Sequence, residues 1–493
     1  MSTFGGLNTA YSGLVAARAG IDVVGQNMAN VNTEGYTRQR VTTSATNAAA
    51  RAGLVAWGAT PGAGVSIDGI SRLGNATLDA KVRATAATAG YTAVRANALG
   101  SVENSLQEPG KAGLSTQLQE FWAAWHELSN VADPSAAAGL LLGEAGQLTT
   151  QINAGYRAVT DEWSAVRTSA DALVTEVNGA AAQVADLNGI IRQTIASGGS
   201  ANELIDKRDA LTTTIAAITG ASVRAQANGT VDVFIGGNIL VSGSDVQKLT
   251  VTGPASLAAA SVPVPGSNPA TYTPVQLEWA HHPGVRVAVD GGELAGALSL
   301  LGPADATNHT GGALAEVAAS YNDFAAKLAD SVNSIHLGGA TSTGAPGGKF
   351  FDYVAGDAAA TLSVLPTNAG EIAAGTVGAG ANNAANADKI AQLGAGRAVD
   401  AAGNPVASPN AIWTAFVTKL GVDTGIELAQ ASASNSSASA AVTLQLSNSS
   451  VDIDEENVNL LTFQHAYQGA ARVMTAVDEM LDTLINRTGL VGR

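Results

Sequence analysis

The residues able to do chemistry are few and scattered. The six histidines are His126, His281, His282, His309, His336 and His465. None repeats at the i, i+4 spacing that sets two imidazoles on one helix face around a metal. Glu278, His281 and His282 come nearest to a ligand set, but they flank Pro283, where surface turn residues are the simpler reading. The run "DIDEEN" at 452–457 resembles the opening of a calcium loop, yet it lacks the glycine at the sixth position and continues as a helix. Acids there are expected to complement the positive end of that helix. "GAPGG" at 344–348 has no Lys-Ser/Thr after it, and neither a G-x-S-x-G elbow nor a dinucleotide fingerprint occurs. With no cysteine, thiolate chemistry is absent too. Nucleophile, base and orienter do not assemble, so the sequence predicts no catalytic residues, no cofactor and no metal site.

The totals narrow the class further. A chain of 493 residues is long enough for two to four domains. Its net charge of −16 argues against nucleic acid and against anionic membrane surfaces. No apolar run approaches the ~20 residues that span a bilayer, and the first residues lack the basic start and apolar core of a secretory signal. The chain is therefore expected to be cytoplasmic or exported without a cleaved signal. Aromatics are only 4%, with Ala, Gly, Ser, Thr and Asn abundant; small side chains at this density suit long helices packed closely together.

The positioning elements follow from periodicity. Near the start, Leu7, Leu14, Ile21 and Met28 recur every seven residues, with Ala10, Ala17, Val24 and Val31 three further on. Near the end, Ile453, Leu460, Tyr467, Met474 and Leu481 share one position, and Phe463, Ala470, Val477 and Leu484 the other. Both read as coiled-coil seams. Residues 1–51 carry a net charge of +2 and residues 451–493 a net of −4, so the two ends attract. Between them, helices are predicted at 75–107, at "LSTQLQEFWAAWHELSN", across 152–191 as a rod of roughly 60 Å, and at "NELIDKRDALTTTIAAITG". Alternating residues behind the Asn228-Gly229 turn, and again at Val275, Leu277 and Trp279 and at Val285, Val287 and Val289, predict strands across 222–290. Helix resumes at 313–336, and 350–410 reads as short mixed elements.

The predicted fold is mainly α with an inserted β domain. Residues 1–65 with 431–493 form a terminal coiled-coil domain, 66–221 with 291–430 a helical and mixed body, and 222–290 a small antiparallel β domain. The stretch "GQNMANVNTEGYTRQRV" at 25–41 breaks the first helix with Asn27, Asn30, Asn32, Gly35 and Tyr36. Asn and Gly end helices by tolerating left-handed turns. Amides also supply directional bonds without burying ions. The stretch is therefore expected both to stop the helix and to bond neighbouring subunits.

"SGLVAARAGIDVVGQNMANVNTEGYTRQRV" resembles the N-terminal motif of the rod, hook and hook-associated proteins of the bacterial flagellum. "DEENVNLLTFQHAYQGAARVMTAVDEMLDTLIN" is similar to their C-terminal motif. The interior, including "WAAWHELS" and "NELIDKRDALTTTI", resembles the members that form the hook–filament junction. The resemblance implies a structural, non-enzymatic protein that leaves through the flagellar type III export channel. It implies a ring of copies at the distal end of the hook, outside the cell, required for filament assembly and motility. The implied partners are further copies of the chain, the hook protein, the second junction protein next to flagellin, the export apparatus and an export chaperone. The expected subunit-interface residues are Leu7, Leu14, Ile21, Val24, Asn27, Met28, Asn30, Asn32, Gly35 and Tyr36 at one end. At the other they are Leu460, Phe463, Tyr467, Met474, Val477, Leu481 and Leu484. The nearest alternative is a hook or distal-rod protein of the same family; an exported wall hydrolase would need an acidic pair in a cleft, and a secreted adhesin would rest on the β domain.

Overall fold

A computed structural model describes residues 3–46, 62–130, 134–267, 270–380, 383–397, 408–483 and 485. Leu484 lies outside the described residues. The chain opens with α1 (Thr3–Ala29), then pairs β1 (Gln39–Ala45) antiparallel with β2 (Val65–Arg72). The body begins with α2 (Ala76–Leu106), α3 (Leu114–Asn130), α4 (Pro134–Ala196) and α5 (Asn202–Thr219). At 63 residues, α4 is about 95 Å long, half as long again as the predicted rod. Its buried face continues backwards through Leu148, Ala145 and Leu141.

The inserted β region follows. Strands β3 (Ser222–Ala225), β4 (Val231–Ile235), β5 (Asn238–Ser242) and β6 (Asp245–Val246) form one meander. Strand β7 (Leu249–Thr252), the single turn α6 (Leu257–Ala260), β8 (Gln276–Trp279) and β9 (His282–Arg286) complete a second sheet of order β7-β8-β9. The Asn228-Gly229 turn joins β3 to β4 as predicted, with Gly229 at φ +82°. The alternation at 285–289 forms a strand only as far as Arg286.

The chain then returns to the body through α7 (Gly292–Leu300), α8 (Ala313–His336), β10 (Gly339–Ala340), β11 (Phe351–Asp352), α9 (Ala358–Thr361), β12 (Ser363–Val364), β13 (Gly375–Thr376) and α10 (Ala385–Gly394). It ends in two long helices, α11 (Pro409–Ser449) and α12 (Ile453–Asp482). The first of these, 41 residues long, runs straight through the boundary drawn at 430/431. Mainly helical architecture with small antiparallel sheets is thus what the sequence predicts.

The body core gathers the large rings. Phe121, Trp125, Phe350 and Phe351 are fully buried and form one ring cluster, with Trp125 and Phe350 centroids 5.1 Å apart. His336 packs in the same cluster. Ala373 N–H donates to its Nε2 at 2.9 Å, so Nδ1 carries the proton and donates to Gly348 O at 2.7 Å. Burial pushes its pKa below the ordinary value, and the ring is held neutral.

One device recurs where helices meet strands. An asparagine on a helix accepts from the N–H of one strand residue and donates to the C=O of that same residue, standing in for the next strand. Asn178 does this to Leu249, Asn188 to Val231, Asn333 to Phe351 and Asn27 to Gln39. Each satisfies an edge peptide that burial against a helix would otherwise orphan.

Among the described residues, no helix is long and apolar enough to cross a membrane. No group of three or more His, Asp or Glu side chains there could hold a metal ion. The Glu278 carboxylate accepts from Gly284 N–H at 2.8 Å and Gln276 Nε2 at 2.7 Å, tying the turn that carries His281 and His282.

Candidate functional site

The two ends of the chain lie side by side. Helices α1 and α12 run antiparallel, and their contacts step by seven on each: Gly6 meets Val477, Gly13 meets Ala470, Gly20 meets Phe463 and Asn27 meets Glu456. Ala10, Ala17 and Val24 fill the same face of α1 and are buried. The seam on α1 thus differs from the predicted one. Glycines occupy the position beside Ala10, Ala17 and Val24, while Leu7, Leu14, Ile21 and Met28 lie half-buried along its rim. The reason is distance: a Cβ on Gly20 would stand 2.5–2.7 Å from the Phe463 ring, so only glycine lets the helices close to this spacing. On α12, Leu460, Phe463, Met474, Val477 and Leu481 are half-buried, and Tyr467 is 38% exposed.

Both helices of the pair keep apolar residues exposed. Tyr11 and Val15 on α1, and Val458, Leu461, Val473 and Met480 on α12, are exposed, Val458 by 63%. So are Val442, Leu444 and Leu446 near the end of α11. Lone exposed apolar residues are ordinary; this many on three helices mark them as candidates for contact.

At the foot of the pair the Asn run takes over from α1. Helix α1 stops at Ala29, Asn30 Nδ2 bonds back to Gln26 O at 2.9 Å, and the chain turns through Gly35 at φ +76°. Asn32 and Gly35 are exposed. Asn27 is 1% exposed, and its amide is fully used. Its Oδ1 accepts from Gln39 N–H at 3.0 Å and from Tyr36 O–H at 2.9 Å. Its Nδ2 donates to Gln39 O at 2.9 Å and to Glu456 at 3.1 Å. Arg38 Nε bonds the other Glu456 oxygen at 2.7 Å, and Arg38 also pairs with Glu455. Arg38 N–H donates to Ser449 O at 2.9 Å, at the end of α11. Asn27 and Tyr36 therefore spend these polar groups inside the chain, tying its first helix to its last.

Helix α12 is built for this. Asp452 caps it, accepting from Asp454 N–H at 2.9 Å and Glu455 N–H at 3.2 Å. Acids fill the first turn, as the sequence predicts. Glu456 does more than complement the helix end: it is 1% exposed. The signal was its place seven residues before Phe463, on the seam.

A second set of bonds fastens this knot to the body. Arg72, on β2, pairs with Asp206 at 2.5 Å and Asp209 at 3.0 Å, and donates to Thr37 Oγ1 at 3.1 Å. Thr37 N–H donates to Asp206 at 3.2 Å. Asn202 Nδ2 bonds Gln39 Oε1 at 2.9 Å and Ile70 O at 3.0 Å. Two residues after Asp206 on the same helix α5, Arg208 reaches the opposite way, to Gly229 O at 2.7 Å in the β region. One helix thus holds the ends and the β region in fixed relation.

The charges respond to this packing. Burial, then the nearby carboxylates of Glu203, Asp206 and Glu456, push the Tyr36 hydroxyl up to about 12, so it stays a donor. Burial raises Asp206, outweighing Arg72 and the Thr37 bonds. Burial pulls Arg38 down, but its bonds to Glu455 and Glu456 leave it raised. Elsewhere, a cavity of about 410 Å³ between α2, α8 and α11 has a rim that pairs with itself: Arg95 with Glu427, Lys419 with Asp423 and His309 with Glu316. It offers a substrate no nucleophile beside a base. What this arrangement can do is mechanical.

Comparison with known proteins agrees with that reading. Residues 99–351 match the family model described as the flagellar hook-associated protein FlgK helical domain. Residues 445–487 match the C-terminal model of the flagellar basal body rod FlgEFG proteins, and residues 7–37 the flagella basal body rod protein model. The chain is 29% identical over 522 aligned positions to flagellar hook-associated protein 1 of Bacillus subtilis, covering 100% of both. It is 30% identical to the Escherichia coli protein of that name, over 49% of this chain and 44% of the relative. In fold it is similar to the flagellar hook junction protein FlgK of Burkholderia pseudomallei, with TM-score 0.60 and 15% identity, over 74% of this chain and 99% of that one.

Proposed function

Because the chain belongs to the flagellar hook-associated protein FlgK family, a family of structural proteins of the bacterial flagellum and not of enzymes, we propose that it forms the junction ring between hook and filament and is required for the filament to assemble. The observation that carries this is the combination at the two ends. The segments matching rod-protein models are α1 with its turn, and α12. These two helices share a seam yet leave apolar residues exposed on both of them. Those residues meet neighbouring copies, together with the half-buried rim residues Leu7, Leu14, Ile21, Met28, Leu460, Met474 and Leu481. Asn32 and Gly35, exposed at the turn, face the adjacent layer.

In this reading the partners are further copies of the chain, the hook protein on one side and the second junction protein, next to flagellin, on the other. The chain reaches its place outside the cell through the flagellar export apparatus, without a cleaved signal. An export chaperone masks α12, which exposes apolar residues and whose first turn is acidic. The polar knot makes the ring stiff: it sets the terminal pair against the body so that each copy presents the same angle to its neighbours. The match of 99–351 to a helical domain of hook-associated proteins favours the junction over a hook or distal-rod position. Deleting the gene tests this. Electron microscopy is expected to find bare hooks, with unpolymerised flagellin in the medium. Cells with no hooks would move the protein into the rod or hook, and normal filaments would overturn the proposal.

A further inference from the structure

The chain contains three Asn-Gly pairs, at 178–179, 188–189 and 228–229, and their surroundings differ sharply. Asn178 and Asn188 lie within α4, with both ends of the amide engaged. Asn178 bonds Leu249 N–H and C=O, each at 2.9 Å. Asn188 is fully buried, donates to Val231 O and Gly243 O and accepts from Val231 N–H. Asn228 is exposed, at the turn between β3 and β4. Its Nδ2 has no partner among the described residues, while its Oδ1 accepts two bonds from one residue: Thr230 N–H at 3.1 Å and Thr230 Oγ1–H at 2.7 Å.

We propose that Asn228 is a site of self-modification, in which the turn promotes conversion of the asparagine to aspartate and isoaspartate through a succinimide. The Gly229 nitrogen loses its proton to water or hydroxide and attacks the Asn228 side-chain carbonyl carbon. A C–N bond forms and negative charge develops on Oδ1. The Nδ2 nitrogen takes up a proton from water, its bond to the carbon breaks, and it leaves as ammonia. Water opens the ring at either carbonyl, giving aspartate or isoaspartate.

The geometry favours each part. Gly229 has no side chain to hinder its nitrogen. The two Thr230 donors already point at the oxygen where charge develops, the arrangement that stabilises tetrahedral intermediates in acyl transfer. The leaving nitrogen is in solvent. Gly229 N–H does bond Gln226 O at 3.1 Å, but releasing it breaks one bond of a turn whose Gly229 O stays held by Arg208, whereas the glycines after Asn178 and Asn188 are locked within a long helix. The product adds a negative charge close to Asp232 and Asp245, which line the same groove. Isoaspartate also adds a methylene to the backbone of a tight turn.

The test is incubation of the full chain in mildly alkaline buffer made with ¹⁸O-water, followed by peptide mapping. Position 228 is expected to convert first, to a mixture of aspartate and isoaspartate carrying the label, with 178 and 188 unchanged. Thr230→Val, which removes the hydroxyl donor, is expected to slow conversion roughly three- to tenfold, and Thr230→Ser to preserve it. Conversion of Asn178 or Asn188 as fast as Asn228, or a Thr230→Val chain that converts at the original rate, overturns the proposal.

Discussion

Replacing Asn27 with alanine removes one short side chain and strands several partners. Gln39 lies on the outer side of its strand: Leu73 N–H bonds Arg38 O on the β2 side, so the Gln39 N–H and C=O point away from β2 and toward Asn27. Gln39 is 6% exposed and gains no water in exchange. A buried backbone group left unpaired costs about 1–3 kcal/mol. Two such groups, with Glu456 also losing a donor, set the loss for Asn27→Ala at roughly 3–6 kcal/mol. Tyr36→Phe deletes only the bond from a half-buried hydroxyl and is expected to cost about 0.5–1.5 kcal/mol. Asn27→Asp keeps the shape but replaces both donors with a carboxylate facing Glu456, and is expected to cost at least as much as alanine. Urea unfolding of the full chain measures the loss, and native-state hydrogen exchange locates it at Gln39 and the first turns of α12. An Asn27→Ala chain that loses under about 1 kcal/mol, no more than Tyr36→Phe, would refute the claim that this amide joins the ends.

Arg38→Met leaves the Glu456 carboxylate, whose side chain is 2% exposed, without its cation. The expected cost by urea unfolding is about 3–5 kcal/mol, with partial recovery in the Arg38→Met/Glu456→Gln pair. Gly20 and Gly25 lie in the same helix but should respond with opposite sign in thermal unfolding. Nothing stands within 4 Å of a Cβ at Gly25, so alanine there stabilises by up to about 1 kcal/mol. Alanine at Gly20 drives into the Phe463 ring and destabilises by about 1–3 kcal/mol. His336 gives a pH test. Its folded pKa lies below the unfolded value of about 6.5, so its contribution is complete above that pH and is lost as pH falls toward the folded value. Stability measured by urea unfolding should therefore decline as pH falls below about 6.5, and His336→Gln should remove this part of the decline.

Much of the fold was legible because apolar periodicity survives in a single sequence. The helices Leu114–Asn130, Asn202–Thr219 and Ala313–His336 match their predicted spans closely. Helix α11 was illegible for a physical reason. Its "AQASASNSSASAA" stretch has no apolar stripe, yet α11 packs along α2, which is equally rich in alanine and threonine. Small side chains allow close approach without leaving a hydrophobic signature. The same reason hid the glycine face of α1 behind Leu7, Leu14, Ile21 and Met28. The Asn run stood out in the sequence, but its partners did not. Asn27 bonds residues 12 and 429 positions away, and no local pattern encodes a contact of the second kind. Arg72, Asn202 and Asp206 were missed likewise, since each is an ordinary polar residue until β2 and α5 bring them to Thr37 and Gln39.

The central claim is a place, and location tests it most directly. An epitope inserted at the exposed turn at Gly266 leaves the knot and the terminal helices untouched. Gold-labelled antibody on flagella isolated from a strain carrying this chain as its only copy is predicted to mark one narrow band where hook meets filament. Label spread along the hook, along the rod or along the filament would contradict the account.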